Sequence, residues 1–279
     1  MCTGQTEPVD LVDVMYRLSG RLTCHMLGVV PEPGSEDATY RRIVELGSRM
    51  IRPMTLTTRQ LAPAQLRAAQ ACFIALTDLA RPAFEDSATD DDAIVHRLRR
   101  AGLSFEEARG ILAVLFLVGT ETVSTAIPRI VALLVDSGLF GTLRQRRNLL
   151  PSAIDEGLRF VVPSPIMLRS PSTNLVQHGQ RFRADERVIL FTYNLLKHPR
   201  YTPRPRRFDI ERVQHPRVKN LWFGAGPHFC LGYALAQREI AAVLDALLDL
   251  PGDLRIADRS YARNVLLPAY ERLSLRLLP

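Results

Sequence analysis

Apolar residues recur every three or four positions over residues 9–28, which predicts an amphipathic helix in that range. The same spacing predicts helices over 39–54 and 63–84, and a short helix that begins near Asp90 and ends at Arg100. The acidic residues at the start of this short helix interact favourably with the positive end of the helix dipole. The first third of the chain is therefore predicted to be helical.

The longest predicted helix follows a capping signature. Ser104 and Glu107 have the spacing of a capping box, in which each side chain bonds the backbone N–H of the other residue. The apolar pattern continues through about Val135, and Pro128 is expected to kink this helix because it has no N–H. The longest unbroken apolar run, 111–118, is much too short to span a bilayer.

Beyond residue 150 the pattern becomes mixed. Pro151 suits the first turn of a helix over 153–159. Short β segments are predicted over 161–191 and again at 254–256 and 273–277, and the prolines between residues 199 and 216 indicate a stretch without regular elements. We therefore predict one domain covering all 279 residues, mainly α with a small β portion.

Composition is that of an ordinary soluble globular protein, with 47% hydrophobic and 23% charged residues. The first ten residues lack the pattern of a signal peptide. Four widely spaced cysteines without a C-x-x-C pair favour reduced thiols and a cytoplasmic location.

The net charge of +7 comes mostly from arginine, and basic residues are dense between residues 200 and 219. One interpretation is a docking surface for an acidic protein partner. A solvated, proline-broken loop is the alternative, and nucleic-acid binding is disfavoured because no reading motif accompanies the charge. The residues are Arg200, Arg204, Arg206, Arg207, Arg212, Arg217 and Lys219.

One cysteine lies in a glycine-rich segment, Phe223-Gly224-Ala225-Gly226-Pro227-His228-Phe229-Cys230-Leu231-Gly232-Tyr233-Ala234-Leu235-Ala236. A helix is predicted to follow, with apolar spacing carried by Leu231, Leu235, Val243, Leu244, Leu247 and Leu248. Gly224 and Gly226 let the backbone approach a flat ligand closely, and a helix N-terminus favours a thiolate at Cys230. Such a thiolate suits haem iron. A buried structural cysteine is the alternative.

This segment resembles the haem-binding loop of the cytochrome P-450 family, the haem-thiolate monooxygenases. The family pattern is F-G-x-G-x-H-x-C-x-G-x-x-L-A, and every specified position is filled here. The resemblance implies a P-450-like fold and a b-type haem (iron protoporphyrin IX) ligated by Cys230. Phe223, Gly224 and Gly232 are implied to form part of the loop that binds it.

Further roles follow from the resemblance. Glu156 and Arg159 match the family's E-x-x-R pair, and Arg212 matches the arginine of its meander, which implies a structural lock behind the haem. Considered alone, the first two residues would form only a weak surface ion pair. The resemblance also implies that Arg169 and His228 bind the haem propionates. An exposed strand residue is the alternative for Arg169.

The long helix contains Val118-Gly119-Thr120-Glu121-Thr122, which is similar to the family's oxygen-activation segment [AG]-G-x-[DE]-T, with valine first. The resemblance implies that Gly119 leaves space for dioxygen and that Glu121 and Thr122 relay protons. A helical threonine that bonds the preceding turn is the alternative. The residues implied to line an apolar substrate pocket are Leu115, Val118, Gly119, Val123, Ile166 and Met167.

The similarity runs from about Val9 to the C terminus, and residues 7–12 resemble a point in the middle of the family's fold, just before its D helix. We therefore expect an N-terminally truncated fold without the A–C helix region. Exposing a few hundred Å² of apolar surface costs several kcal/mol at about 25 cal/mol per Å². The isolated chain is thus expected to self-associate or to bind haem weakly. Smaller departures are 196–199, where N-R-D-P is usual, and Gln237, where arginine is usual.

Two functions from different classes remain open. The first is a haem-thiolate monooxygenase of secondary metabolism that hydroxylates an apolar small organic substrate with O2 and electrons from a ferredoxin-type donor. The second is a non-catalytic relative that binds a partner, with an inactive truncated remnant as a further alternative. Retention of Cys230, Glu121 and Thr122 favours the enzyme, because a scaffold needs neither a thiolate nor an acid–alcohol pair.

Overall fold

The computed structural model describes residues 7–51, 61–86, 92–263, 265 and 267–278, with only the backbone of Ile51. The chain divides into two compact units. Unit 1 comprises Met1–Pro128 and Leu254–Pro279, and unit 2 comprises Arg129–Asp253. Helices dominate and the sheets are small, which confirms the predicted fold class. The prediction that the chain forms one domain stays a prediction.

Helices form most of unit 1. The described helices are α1 (Leu11–Leu27), α2 (Glu36–Ile51), α3 (Pro63–Asp78), α4 (Arg81–Glu85), α5 (Ile94–Arg100) and α6 (Phe105–Asp136). The last of these continues into unit 2. Side chains from all six of these helices share a buried apolar cluster that includes Leu27, Ile43, Leu76, Val95 and Phe116.

The prediction of one helix over 63–84 is wrong, because α3 ends at Asp78 and α4 begins at Arg81. Pro82 lies in the first turn of α4. A proline there has no N–H to continue the preceding helix, but it suits the start of a new one. Two other predicted helix ends, Met54 and Asp90, lie outside the described residues.

Residues 9–10, predicted as helix, form the short strand β1 (Val9–Asp10) instead. The Asp10 carboxylate accepts from the N–H of Val12 at 3.0 Å, which caps α1, and from the N–H of Leu273 at 3.1 Å. One side chain therefore joins the start of α1 to the C-terminal sheet.

The capping box of α6 is confirmed. The Ser104 N–H donates to Glu107 Oε2 at 2.8 Å, and the Glu107 N–H donates to Ser104 Oγ at 3.4 Å. The helix continues through Pro128 to Asp136. The kink at Pro128 stays a prediction.

Seven strands are described. β1 pairs with β7 (Tyr270–Leu278) in a sheet of order β1-β7-β6, where β6 is Asp253–Tyr261. Both C-terminal strands are longer than predicted. In unit 2, β2 (Ile166–Arg169) pairs antiparallel with β5 (Val188–Phe191), and β3 (Leu175–Gln177) pairs with β4 (Gln180–Phe182).

The helices of unit 2 are α7 (Phe140–Gln145), α8 (Leu150–Val161), α9 (Thr192–Leu196) and α10 (Tyr233–Asp249). Pro151 lies in the first turn of α8, as predicted. Residues 197–220 form turns without a helix or strand, which confirms the irregular stretch. This stretch, the meander, leads into the cysteine loop.

Candidate functional site

The cysteine loop (residues 223–232) is closed by its own backbone. The Cys230 N–H donates to the carbonyl of Phe223 at 2.9 Å. Gly224 has φ of 82°, and a Cβ there would lie 3.2 Å from the backbone oxygen of His228. Position 224 therefore requires glycine for both conformation and space. The thiol of Cys230 is free and half-buried.

Three aromatic rings brace the loop. The Phe223 centroid lies 6.3 Å from that of Phe229 and 6.2 Å from that of Tyr233. Phe229 and Tyr233 are 5.1 Å apart. Because such edge and tilted ring contacts are favourable, they hold both sides of the loop around Cys230.

The apolar pattern after Cys230 divides into two groups. Ile240, Leu244 and Leu248 form the buried face of α10. Leu231 is 90% exposed and Leu235 is 42% exposed. The prediction that these two leucines share the apolar spacing of the helix with Leu244 and Leu248 is therefore wrong. Leu231 precedes the helix and therefore does not follow its periodicity.

Strand β2 lies beside the cysteine loop. The Cβ position of Gly224 is 3.9 Å from Met167 Cε. At the end of the same strand, half-buried Arg169 donates from Nη1 to the carbonyl of Leu168 at 2.8 Å. His228 is exposed. Their binding of propionates stays a prediction.

The structure brings together Glu156, Arg159 and Arg212, which we call the Glu156 cluster. Glu156 and Arg159 are completely buried, with Arg159 Nε 2.6 Å from Glu156 Oε2 and Arg159 Nη2 2.8 Å from Oε1. Arg212 Nε lies 3.1 Å from both carboxylate oxygens. A buried carboxylate held by two guanidinium groups is far better satisfied than the weak surface pair that spacing alone would suggest.

Both arginines also bind backbone carbonyls of the meander and its neighbourhood. Arg159 Nη1 donates to the carbonyls of Leu196 and Pro205, each at 3.2 Å. Arg212 donates to those of Pro203 at 2.7 Å and Arg207 at 2.9 Å. The Glu156 cluster therefore fixes an irregular chain segment onto α8.

Sequence reasoning missed Gln214 in this cluster. Its Nε2 donates to Glu156 Oε2 at 3.0 Å, and its side chain is 8% exposed. The N–H of Asp209 also donates to Glu156 Oε1 at 3.0 Å. The only signal was the position of Gln214, two residues beyond Arg212, and a glutamine in an irregular segment has no sequence pattern of its own.

Lys197 lies at the edge of the same cluster, where N-R-D-P would have an arginine. Its Nζ donates to the carbonyl of Phe160 at 3.0 Å and lies 3.6 Å from the centroid of that ring. Burial, followed by the charge of Arg159, lowers the pKa of Lys197 to about 7.

The oxygen-activation segment lies in the unit 1 part of α6. The Thr122 hydroxyl donates to the carbonyl of Val118 at 2.9 Å, the local bond that the alternative interpretation describes. Burial raises the pKa of Glu121. The Cβ position of Gly119 lies 3.0 Å from Thr23 Oγ1, so the missing side chain makes room for α1. The roles in dioxygen binding and proton relay stay predictions.

The predicted pocket residues belong to both units. In unit 1, Val118 is 51% exposed, Leu115 is half-buried and Val123 is buried. In unit 2, Ile166 and Met167 are half-buried. A common pocket stays a prediction. A cavity of about 800 Å³ in unit 1 is bordered by Cys24, Met26 and His96 and contains none of the predicted site residues.

The residues of unit 2 fit a haem. A free thiol lies in a glycine loop, next to exposed apolar side chains that suit an apolar macrocycle. No group of three or more His, Cys, Asp or Glu residues suited to a metal ion occurs in the described ranges. The thiol loop is therefore the strongest candidate for a metal-containing group in the described part of the chain.

By length and composition, α6 could cross a membrane, but half of its most apolar window is buried inside the protein. That burial is typical of a core helix in a soluble protein.

The cytochrome P450 family model matches residues 142–250. The putative cytochrome P450 126 of Mycobacterium tuberculosis is 34% identical over 145 residues, which are 52% of this chain and 34% of that protein. The chain thus aligns with about a third of the length of this curated relative.

Solved structures match almost the whole chain. CalO2 has a TM-score of 0.82 at 26% identity, over 98% of this chain and 68% of CalO2. P450BioI, solved in complex with an acyl carrier protein ligated to hexadec-9Z-enoic acid, has a TM-score of 0.79 at 25% identity, over 97% of this chain and 69% of its own. With the completely filled cysteine-loop motif, these matches show that the chain is similar in sequence and in fold to cytochrome P450 proteins.

Proposed function

We propose that the protein is a haem-thiolate monooxygenase that hydroxylates an apolar small organic substrate. The observation that carries the proposal is the free Cys230 thiol in a closed loop at the start of α10. A scaffold protein would need neither this thiol nor the acid and alcohol at residues 121 and 122 of α6. A thiolate-ligated b-type haem supplies oxygen activation when it is bound.

Each group of site residues has its own role in this proposal. Cys230 holds the iron, while Gly224 and the three aromatic rings keep its loop closed. Arg169 and His228 neutralise the propionates, since carboxylates inside a protein require cationic or hydrogen-bonding partners. Glu121 and Thr122 hold and move protons, which requires the Thr122 hydroxyl to leave the Val118 carbonyl during turnover. The Glu156 cluster provides rigidity.

Electrons come from a ferredoxin-type donor that docks on the basic meander. Arg204, Arg206 and Arg207 are exposed there, and none of them forms an ion pair within the described residues. Such a surface attracts an acidic protein. The protein acts in the cytoplasm and without nucleic acid. The second candidate, a non-catalytic partner-binding relative, would use the same surface without electron transfer.

The test is the absorption spectrum of the reduced, carbon-monoxide-treated protein. We expect the strongly red-shifted Soret band of thiolate ligation, and Cys230→Ser should abolish it. Cys72→Ala is the matched control, because Cys72 is a buried cysteine of α3 far along the chain from the loop. A protein that binds no haem after supplementation, or a Cys230→Ser protein that keeps the band, would contradict the proposal.

A further inference from the structure

Three hydroxyl side chains occupy one face of α1. Tyr16, Ser19 and Thr23 follow the i, i+3, i+7 spacing that places side chains in a row along a helix. Thr23 contacts the position where α6 has Gly119, at 3.0 Å, and Met26 Cε lies 3.9 Å from the same point. Viewed along the axis of α1, Ser19 lies between Thr23 and Met26. The face that carries the three hydroxyls is therefore turned toward α6.

Ser19 is the unusual member of the row. Its side chain is 1% exposed, and its Oγ has no hydrogen-bond partner in the described part of the chain. A helical serine usually returns its hydroxyl to the preceding turn, as Ser124 and Thr125 do in α6. A buried hydroxyl without a partner is costly, which indicates that a partner such as ordered water occupies this place.

The acid of α6 acts electrostatically on Tyr16, the first residue of the row. Burial raises the pKa of Tyr16 to about 12, and the nearby charge of Glu121 adds to this effect. Tyr16 and Glu121 are therefore electrostatic neighbours across the α1–α6 packing. The α1–α6 packing therefore contains a hydroxyl without a partner among the described residues, and a carboxyl group whose pKa burial raises.

We propose that Tyr16, Ser19 and Thr23 hold ordered water between α1 and α6, and that this water carries protons to Glu121. Its use in turnover rests on the proposed function. In each step an oxygen accepts a proton on one side and releases its own proton on the other, so only O–H bonds exchange. The chain ends with the Glu121 carboxylate protonated and a proton taken from bulk water.

Such a site offers the polar partners that buried water requires. A buried water molecule needs a polar surrounding and two to four hydrogen-bond partners. The three hydroxyls and the Glu121 carboxylate can supply them, and each hydroxyl can both donate and accept. Gly119 contributes by admitting Thr23 to this position, which any larger residue would crowd.

The first measurement is the urea midpoint of Ser19→Ala. If Ser19 anchors ordered water, its removal leaves that water short of a partner, and the midpoint falls. If the hydroxyl is dry, alanine removes a desolvated group, and the midpoint stays or rises, which overturns the proposal. Cys24→Ala, on another face of α1, is the control for the loss of one buried heteroatom.

The second measurement follows deuterium uptake by the Glu121 carboxyl in the full chain as purified. The infrared carbonyl stretch of the neutral carboxyl is recorded at a pH low enough to protonate Glu121 and is assigned by its absence in Glu121→Gln. We expect Ser19→Ala and Thr23→Val to slow its exchange in D2O about tenfold, and Cys24→Ala to leave it unchanged. Unchanged exchange in both hydroxyl variants would overturn the proton route.

These outcomes separate the inference from the proposed function. Infrared exchange and urea midpoints need neither substrate nor electron donor. A missing thiolate band with slowed carboxyl exchange would contradict the monooxygenase proposal and support the proton route along α1. A normal thiolate band with unchanged exchange would contradict the proton route alone.

Discussion

Lys197 illustrates how one residue differs from the usual residue of the family that the chain resembles and has a different ionisation behaviour. Its ammonium group donates to the Phe160 carbonyl and lies over that ring, next to the arginines of the Glu156 cluster. Burial and the like charge of Arg159 both disfavour its protonated form, which lowers its pKa to about 7. An arginine there would remain charged at every relevant pH.

We predict that Lys197→Met removes most of the rise in unfolding free energy that the wild type shows as the pH increases above about 7. Between a folded pKa of about 7 and the ordinary lysine value of 10.5, the unfolded chain holds a proton that the folded chain has lost. Unfolding free energy therefore rises with pH across this window, and methionine removes that rise. Urea midpoints measured at several pH values above 7 test this.

The control for this prediction is Lys219→Met, because Lys219 is largely exposed and lies 3.8 Å from Asp155. Equal slopes in the wild type and in Lys197→Met would contradict the assigned environment of Lys197.

At the scale of elements, the Glu156 carboxylate joins helix α8 to the meander. Five donor groups from Arg159, Arg212, Gln214 and the Asp209 backbone converge on its two oxygens. Because the meander has no helix or strand of its own, these bonds replace the regular backbone ladder that would otherwise hold it.

We predict that Gln214→Leu destabilises the protein by about 1–3 kcal/mol, because it removes a hydrogen bond to a buried charge. Gln214→Glu should be worse, since it places a second carboxyl group beside Glu156. Gln145→Leu at the exposed end of α7 is the control. Urea unfolding measures all three, and a Gln214→Leu protein as stable as the control would refute the role of Gln214.

At the scale of the molecule, the charge is divided unevenly. Unit 2 has 18 Lys and Arg residues against 11 Asp and Glu residues, and unit 1 has 18 of each sign. The whole net charge of +7 therefore belongs to unit 2, the unit that also contains Cys230 and the basic meander. An acidic partner would be attracted to unit 2.

We predict that the double variant Arg206→Glu/Arg207→Glu raises the dissociation constant for an acidic ferredoxin about tenfold at low salt. The difference should shrink at about 1 M salt, where the screening length is only about 3 Å. Arg67→Glu, exposed on α3 in unit 1, should change little. Binding isotherms over a salt series test this, and equal effects of the two sites would contradict a docking surface on the meander.

Local features of this protein can be read from its sequence because local physics determines them. The Ser104–Glu107 capping box and the closed turn at Gly224 depend on groups within a few residues of one another. The cysteine-loop motif is contiguous, so its resemblance to the family is visible in the sequence itself. The pairing of Arg212 with Glu156 could be predicted only because the family resemblance supplied it.

Only the tertiary structure decided the contacts between distant positions. Gln214 meets Glu156 across 58 residues of chain, and Thr23 meets Gly119 across two helices. No periodicity encodes such pairs, because the partner depends on how irregular segments and helices pack. The same holds for the pKa of Lys197 and for the unpartnered hydroxyl of Ser19. Both depend on burial, and burial is a property of the folded chain.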